Sequence, residues 1–286
     1  MATKIQGPNA DQIAFWNSEP GLKWVRYQER MDEVLAPVAA HLMDLARPAP
    51  GERVLDIGCG CGVTTLEAGR LVGREGHVTG VDVSEPMLAL ARKRKADGAR
   101  PEFVLADAAT ARLGEIRYDL ALSRFGVMFF SEPIAAFKNI RASLKPAGRL
   151  AFVCWQAMKA SPWFAQPMQA VLRHVQPPEA PDPNAPGPFA FADPARVQGI
   201  LEGAGFSDIA IKPATESIML AGPGPDPLED AVRFALDMGP ASRLLENASD
   251  AQRNAVRAAL NQALKPHVTA EGIFLDGAIW LVSARA

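Results

Sequence analysis

The sequence contains few cysteines and no long apolar run. Two of its three cysteines, Cys59 and Cys61, stand in one glycine-rich segment and the third is Cys154, so we expect reduced thiols rather than a disulfide framework. No stretch approaches the roughly 18 consecutive apolar residues of a membrane-spanning helix. Residues 1–11 are polar and lack the pattern of a signal peptide. The expected location is therefore the cytoplasm.

Neither sign of charge dominates. The formal net charge is -2 at pH 7 over 286 residues, which favours neither nucleic acid nor an anionic membrane as a partner. The one basic run, residues 92–95, reads better as the solvated face of a helix. A small molecule is thus the expected partner, and a homodimer is compatible with the composition.

Strands and helices alternate along the chain. The apolar segments that predict strands are residues 53–57, 77–81, 102–105, 118–123, 149–155, 207–212 and 273–285. This alternation predicts an α/β fold: a Rossmann-like, mostly parallel seven-stranded sheet with helices on both faces. Helical caps would come from the N-terminus and from insertions in the C-terminal half.

Composition suggests four regions. Residues 1–48 are predicted to form an N-terminal helical lid, and residues 49–157 a cofactor-binding core. Residues 158–205 would be a helical and proline-rich cap insertion. Residues 206–286 would supply the final core strands, interrupted by a second helical insertion at 222–268.

A glycine-rich turn follows the first predicted strand, in the segment Val54–Gly62. Glycines at 58, 60 and 62 allow positive φ and close approach of a ligand to the backbone, and the helix that follows offers free N–H groups. Alone, this turn is also compatible with a dinucleotide-binding fold, although Val63 stands where that fingerprint requires glycine. A tight turn without a ligand is a further alternative.

Two acidic residues follow the next two strands. Asp82 ends the second strand, where a carboxylate can accept both hydroxyls of a ribose, although it could instead cap the following helix. Asp107 follows the third strand and can accept a hydrogen bond from an exocyclic amine. One nucleoside could therefore contact the glycine turn and both carboxylates.

Three motifs together resemble those of class I S-adenosylmethionine-dependent methyltransferases, in particular bacterial small-molecule enzymes with a menaquinone/ubiquinone-methylase-like core. They are Asp56-Ile57-Gly58-Cys59-Gly60-Cys61-Gly62, Gly80-Val81-Asp82-Val83-Ser84 with Met87, and Ala106-Asp107-Ala108. The resemblance covers about residues 50–156. It implies S-adenosyl-L-methionine as cofactor, S-adenosyl-L-homocysteine as coproduct, and direct in-line transfer of a methyl group.

The resemblance also implies which residues line the cofactor. For the methionine part these are Asp56, Gly58, Cys59 and Gly60; for ribose and adenine, Asp82, Val83, Met87, Asp107 and Ala108; for the methionine end, Ser123, Arg124, Trp24, Tyr27 and Arg30. The segment 123–126, Ser-Arg-Phe-Gly, lacks the Asn/Asp-Pro-Pro-aromatic motif of amino-methyltransferases, and no cysteine follows a proline. With these two classes of methyltransferase disfavoured, the expected methyl acceptor is a small, apolar or aromatic organic molecule.

Aromatic and apolar side chains near the predicted strand ends and caps suggest the acceptor pocket. The candidates are Trp16, Phe125, Met128, Trp155 and Trp163. No metal-ligand cluster is predicted. No catalytic residue is assigned, with His174, His267 and Arg124 as candidates, and the need for a general base is left open.

Two other classes stay open at this point. An NAD-type oxidoreductase would need a second nucleotide-binding half and a tyrosine or histidine at the hydride, and the chain has two tyrosines. A non-catalytic, methyltransferase-like binding subunit would keep the fold without turnover.

Overall fold

The structure of the protein is a computed structural model that describes residues 7–113, 117–176 and 182–286. The proline-rich loop predicted at 176–194 lies partly outside these residues. Contacts divide the chain into two compact units. The first consists of Met1–Trp155, Asn184–Pro213 and Trp280–Ala286, and the second of Gln156–Pro183 and Ala214–Ile279.

Eight strands form one sheet in the described residues. They are β1 (Arg53–Ile57), β2 (His77–Asp82), β3 (Glu102–Leu105), β4 (Tyr118–Arg124), β5 (Leu144–Trp155), β6 (Ser207–Ala221), β7 (Val268–Thr269) and β8 (Gly272–Arg285). Seven follow the order β3-β2-β1-β4-β5-β8-β6, and β7 pairs with β8. The α/β, Rossmann-like prediction is confirmed. The predicted strand number is too low by one, because the two-residue β7 is too short to show a hydrophobic pattern.

The strand order reverses at the centre of the sheet. β1 pairs in parallel with β2 on one side and with β4 on the other. β2–β3 and β4–β5 are also parallel, whereas β7 runs antiparallel to β8. In such open sheets the ligand crevice lies at the carboxyl ends of the strands, beside the point of reversal. The ends of β1, β2 and β4 are therefore the part of the sheet where a ligand is expected.

Twelve α-helices accompany these strands in the described part of the chain. They are α1 (Ala10–Trp16), α2 (Glu19–Arg26), α3 (Gln28–Val34), α4 (Ala36–Ala46), α5 (Val63–Val72), α6 (Glu85–Ala91), α7 (Pro133–Ser143), α8 (Pro162–Leu172), α9 (Pro194–Gly203), α10 (Pro227–Asp237), α11 (Pro240–Leu244) and α12 (Asp250–Leu264). The N-terminal region, which the sequence predicted to be helical, thus has four short helices. Prolines stand in the first turns of α2 and α4, because a residue without an N–H fits best at a helix start.

Helix α9 belongs to the first unit, although the predicted cap insertion 158–205 includes it. The reason is an aromatic core beside β5. Phe137 packs against Phe152 at 5.6 Å between ring centroids, and against Phe191 and Phe206 at 6.2 and 6.3 Å. Because Phe191 and Phe206 flank α9 in the sequence, burying both rings holds that helix in the first unit.

Candidate active site

The glycine turn after β1 adopts a backbone that favours glycine. Gly58, Gly60 and Gly62 have φ of +67°, +54° and +84°. A Cβ on Gly58 would lie 2.6 Å from Cα of Gly126, so the turn and the segment after β4 approach to backbone contact. The N–H of Gly58 donates to the Val81 carbonyl at 2.8 Å, which ties the turn to β2. The glycines are thus required by geometry as well as by a ligand.

Asp56 lies completely buried in β1. Its Oδ2 accepts hydrogen bonds from the hydroxyls of Thr64 and Thr65, both at 2.6 Å, whereas Oδ1 is buried without a partner among the described residues. Burial raises the pKa of Asp56 to about 6, against the lowering effect of the two hydroxyls and of Arg124. The two threonines lie in the first turn of α5, and the sequence motifs did not include them.

The cysteines of the turn are inert thiols in their surroundings. Cys59 and Cys61 are 5% and 4% exposed. Burial raises the pKa of Cys59, helped by Asp82, and raises the pKa of Cys61 to about 12. Because the thiolate is the nucleophile, neither thiol is activated for covalent chemistry. All three cysteines are free, as predicted.

Asp82 fixes the shape of the turn. One carboxylate oxygen accepts from the N–H of Gly60 at 2.7 Å and the other from the N–H of Ser84 at 2.8 Å. Burial raises its pKa, and these backbone donors oppose the rise. Since an ionised carboxylate has about four lone-pair sites, Asp82 retains sites for ribose hydroxyls. Met87 packs against the turn, with its Cε 2.8 Å from where a Cβ of Gly60 would be.

The N-terminal helices are joined to the end of β2. Asn17 donates from Nδ2 to the carbonyl of Val83 at 2.7 Å and accepts from the N–H of Glu85 at 3.0 Å. The hydroxyl of Ser84 donates to the Trp16 carbonyl at 2.7 Å. These bonds place the predicted lid segment at the strand end where the resemblance puts the adenine. Trp24 on α2, Tyr27 between α2 and α3, and Arg30 on α3 are all half-buried. Their contacts with a cofactor stay predictions.

Asp107 is held by Asn9, which the sequence analysis missed. Nδ2 of Asn9 donates to Oδ1 of Asp107 at 2.9 Å, and Oδ1 of Asn9 accepts from the N–H of Ser131 at 2.9 Å. The other carboxylate oxygen of Asp107 has only a 3.4 Å contact with the Thr110 hydroxyl, so it is available to an amine. Ala108 is buried. No sequence signal marks Asn9, because it precedes a short helix of ordinary composition.

The segment after β4 is tightly constrained. Ser123 is fully buried, and its hydroxyl donates to the Ile57 carbonyl at 2.7 Å. Phe125 has φ of +68°, a left-handed conformation that is costly for a bulky residue. A Cβ on Gly126 would lie 2.6 Å from the same Ile57 carbonyl oxygen. Ser123 therefore holds β4 against the glycine turn, and a direct contact of its side chain with the methionine end stays a prediction.

Arg124 brings a positive charge to this strand end. Its Nη1 is buried and has no hydrogen-bond partner among the described residues. Burial lowers the pKa of Arg124, while the carboxylates of Asp32 and Asp56 oppose that change. Asp32 itself is paired with Arg94 at 2.8 Å.

The predicted acceptor residues fall into two groups. In the first unit, Phe125 stacks on Trp155 with ring centroids 4.3 Å apart and planes at 10°, whereas Met128 is 1% exposed and packs in the core. Trp16 contacts the rings of Trp24 and Phe129 edge-on, with centroids 6.3 and 5.2 Å apart.

Trp163 belongs to the second unit. It lines an apolar pocket with about 300 Å³ of empty space, part of it open to solvent. The remaining lining residues are Phe164, Pro167, Leu220, Phe234, Ala235, Met238, Gly239 and Ala241. The indole N–H of Trp163 donates to the Met219 carbonyl at 3.3 Å, which orients the ring.

The two histidines proposed as bases also lie in the second unit. His174 is exposed just after α8, and His267 is half-buried before β7. A role for either in proton transfer stays a prediction. No group of three or more metal-ligating side chains is close enough to hold an ion in the ranges that the structure describes.

The residues at the strand ends fit the cofactor that the motifs imply. The methionine part of S-adenosylmethionine carries an ammonium, and Oδ1 of Asp56 is a buried acceptor without a partner among the described residues. Asp82 and Asp107 keep lone pairs for ribose hydroxyls and an adenine amine. The site thus offers acceptors for the ammonium, the ribose and the adenine amine of the cofactor.

Comparisons with known proteins agree with this geometry. A family model described as a methyltransferase domain matches residues 54–148. The chain is 34% identical over 122 residues to aklanonic acid methyltransferase from a Streptomyces strain, a match covering 42% of this chain and 56% of that protein. It is 27% identical over 188 residues to demethylmenaquinone methyltransferase of Staphylococcus epidermidis, covering 62% of this chain and 77% of that protein.

A solved structure shares the fold. Magnesium protoporphyrin IX methyltransferase from Synechocystis, crystallised with S-adenosylhomocysteine, matches with a TM-score of 0.53 and 17% identity over 98% of this chain and 100% of that one. The methyltransferase-domain match covers the glycine turn, Asp82 and Asp107, which separates the chain from the dinucleotide-binding alternative. Residues 54–148 thus match a methyltransferase domain, and the chain is similar in sequence to small-molecule methyltransferases.

Proposed function

We propose that this chain transfers the methyl group of S-adenosylmethionine to a small apolar or aromatic organic acceptor. The observation that supports an aromatic acceptor is the stacking of Phe125, directly after β4, on Trp155, at the end of β5, beside the strand ends that fit the cofactor. The relatives in the comparison are named for small organic molecules, aklanonic acid and demethylmenaquinone.

The cofactor supplies a methyl group already activated on a positively charged sulfur. The protein then has to align the acceptor with that group and keep water away. Asp82 would hold the ribose and Asp107 the adenine amine, which fixes the cofactor along the ends of β2 and β3. Asp56 would order the ammonium through Oδ1, and the N-terminal helices joined to Val83 and Ser84 would shield the site from water.

A coproduct-release assay tests the proposal. The full chain is incubated with S-adenosylmethionine and a panel of phenols, carboxylates, thiols and amines, and S-adenosylhomocysteine is quantified. We expect acceptor-dependent release, with aromatic members preferred over aliphatic ones of the same functional group. Calorimetric titration with S-adenosylhomocysteine addresses the non-catalytic alternative: binding without turnover of any acceptor would favour a binding subunit.

Location and assembly are proposals as well. No helix in the described part of the chain is long and apolar enough to cross a membrane, and we place the enzyme in the cytoplasm, acting without nucleic acid. A homodimer is the proposed assembly, to be checked by light scattering coupled to size-exclusion chromatography.

A further inference from the structure

The guanidinium of Arg124 lies at the point where β4 ends and has no counter-ion in contact at its buried nitrogen. Nη1 is buried without a hydrogen-bond partner among the described residues. A buried charged donor left unpaired is unfavourable, and it is normally paired or filled by a ligand. The arrangement is therefore complementary to an anion.

The neighbouring acidic groups form no hydrogen bond with Nη1 of Arg124. Asp32 forms an ion pair with Arg94 at 2.8 Å and accepts a hydrogen bond from the side chain of Gln28. Asp56 directs Oδ2 to the hydroxyls of Thr64 and Thr65. Both carboxylates are near enough to oppose the lowering of the Arg124 pKa, yet Nη1 bonds to neither. The unpaired donor is thus left for a group outside the chain.

The residue that follows Arg124 belongs to the aromatic stack. Phe125 has a left-handed backbone and lies parallel to the ring of Trp155 at 4.3 Å. The sequence therefore places a cation and an aromatic side chain on consecutive residues of one constrained segment. A ligand that combines an anionic group with an apolar or aromatic body fits this pair.

We propose that Arg124 binds an anionic oxygen of the methyl acceptor, and that the acceptor is an apolar or aromatic carboxylic acid. This inference rests on the proposed function and names its substrate class. A guanidinium can hold a carboxylate through two parallel N–H···O bonds, which fixes the direction of the remaining lone pairs. Arg124 would thereby be a specificity-determining residue.

The chemistry balances without a base. An O–CH3 bond forms from a carboxylate lone pair while the S–CH3 bond breaks, and its electron pair stays on the sulfur. The products are a methyl ester and a neutral thioether, and no proton moves. A reaction without a base agrees with the positions of the two histidines of the first unit. His77 begins β2, at the end of the strand opposite to Asp82, and His41 lies within α4.

A carboxylate at Arg124 has two sources, the acceptor or the methionine part of the cofactor. Two titration series on the full chain separate them, using wild type, Arg124→Met and Arg124→Lys. Arg70→Met serves as a control, because Arg70 is an exposed arginine paired with Glu67. The first series compares S-adenosylhomocysteine with 5′-methylthioadenosine, which lacks the amino acid. The second, on protein saturated with S-adenosylhomocysteine, compares benzoate and 2-naphthoate with their amides.

We expect Arg124→Met to change S-adenosylhomocysteine affinity by less than about 3-fold and to abolish a roughly 10- to 100-fold preference for acid over amide, the range of a charge-assisted hydrogen bond. Arg124→Lys should keep part of that preference, and Arg70→Met all of it. Coproduct release from the acids should fall in parallel.

Three results would overturn the inference. One is an acid preference that persists in Arg124→Met, and another is a wild type that binds no acid better than its amide. The third is a loss of S-adenosylhomocysteine affinity with unchanged 5′-methylthioadenosine affinity, which assigns Arg124 to the cofactor. Failure of the proposed function looks different: wild type would then bind no S-adenosylhomocysteine or release none with any acceptor.

Discussion

Buried polar side chains are concentrated in one of the two compact units. Of the eight buried polar or charged residues in the described ranges, seven lie in the first unit and only Ser161 in the second. The pocket of the second unit is lined by apolar side chains. The first unit is therefore built to bind a polar ligand through specified hydrogen bonds, whereas the second offers apolar area and shape.

Among the variants that test this difference between the two units, Asp82→Ala should have the largest effect, a loss of S-adenosylhomocysteine affinity. The substitution removes the acceptor for the N–H groups of Gly60 and Ser84 and the proposed ribose contact. Loss of charge-assisted hydrogen bonds at a buried site costs about 3 kcal/mol, or more than 100-fold in affinity. Calorimetry with S-adenosylhomocysteine measures it. Asp230→Ala in the second unit is the matched control, and equal losses in both variants would contradict the contrast.

Asp56 provides a pH-dependent test of the polar unit. Its pKa is raised from 3.8 to about 6 in the fold, so between these values the folded state keeps a proton that the unfolded state has released. The contribution of Asp56 to the free energy of unfolding therefore falls as pH rises from about 4 to 6, by about 3 kcal/mol in total, and is constant at higher pH. Asp56→Asn removes this loss of stability.

Urea unfolding of wild type and Asp56→Asn, at pH values from 4 to 8, measures this difference. We expect the variant to gain stability over wild type as pH rises to 6, and the gain to stay level above that. S-adenosylhomocysteine affinity should fall in the same variant. A pH-independent difference in unfolding free energy would show that Asp56 does not titrate in this range.

Gly126→Ala tests the backbone contact on which the polar edge depends. The new methyl group would lie 2.6 Å from the Ile57 carbonyl oxygen and 2.8 Å from Cα of Gly58, and such overpacking costs about 2 kcal/mol. Gly199→Ala is the counterpart, because Gly199 lies in α9 with open space around it and alanine favours helix by about 1 kcal/mol. The midpoint temperature of thermal unfolding should fall in Gly126→Ala and rise in Gly199→Ala. A loss of stability in both variants would refute the steric argument.

The smallest effect is expected in the apolar unit. Trp163→Ala removes a large aromatic side chain from the pocket lining of the second unit. We expect calorimetry to show unchanged S-adenosylhomocysteine affinity, because the side chains assigned to the cofactor all lie in the first unit. Trp280→Phe, in the first unit, is the comparison variant. A Trp163→Ala protein with reduced cofactor affinity would contradict the assignment of cofactor binding to the first unit.

The cofactor edge could be predicted from the sequence because its parts are local. The glycine turn after β1 and the acidic residue at the end of each of the next two strands are short patterns. Each can be recognised from a few consecutive residues. Asn9 could not be predicted, since its contact with Asp107 joins residues 98 positions apart. Nothing in the local sequence distinguishes it from a surface asparagine.

The second unit could be predicted far less well. Its helices follow apolar periodicity, but the pocket at Trp163 collects residues from α8, α10, α11 and the end of β6. Apolar residues in these helices fit a core as well as a ligand site, so pattern alone does not separate the two. The packing of α9 could not be predicted for a related reason, because two aromatic side chains far from Phe137 in sequence hold that helix in the first unit.

The left-handed backbone at Phe125 has a consequence for protein engineering. Glycine or asparagine adopts that conformation at lower cost, by about 1 kcal/mol or more. A library screened for heat resistance would therefore accumulate these residues at position 125. The same library screened for turnover would retain the aromatic ring that lies against Trp155. Position 125 thus reports which of the two selections a lineage has experienced.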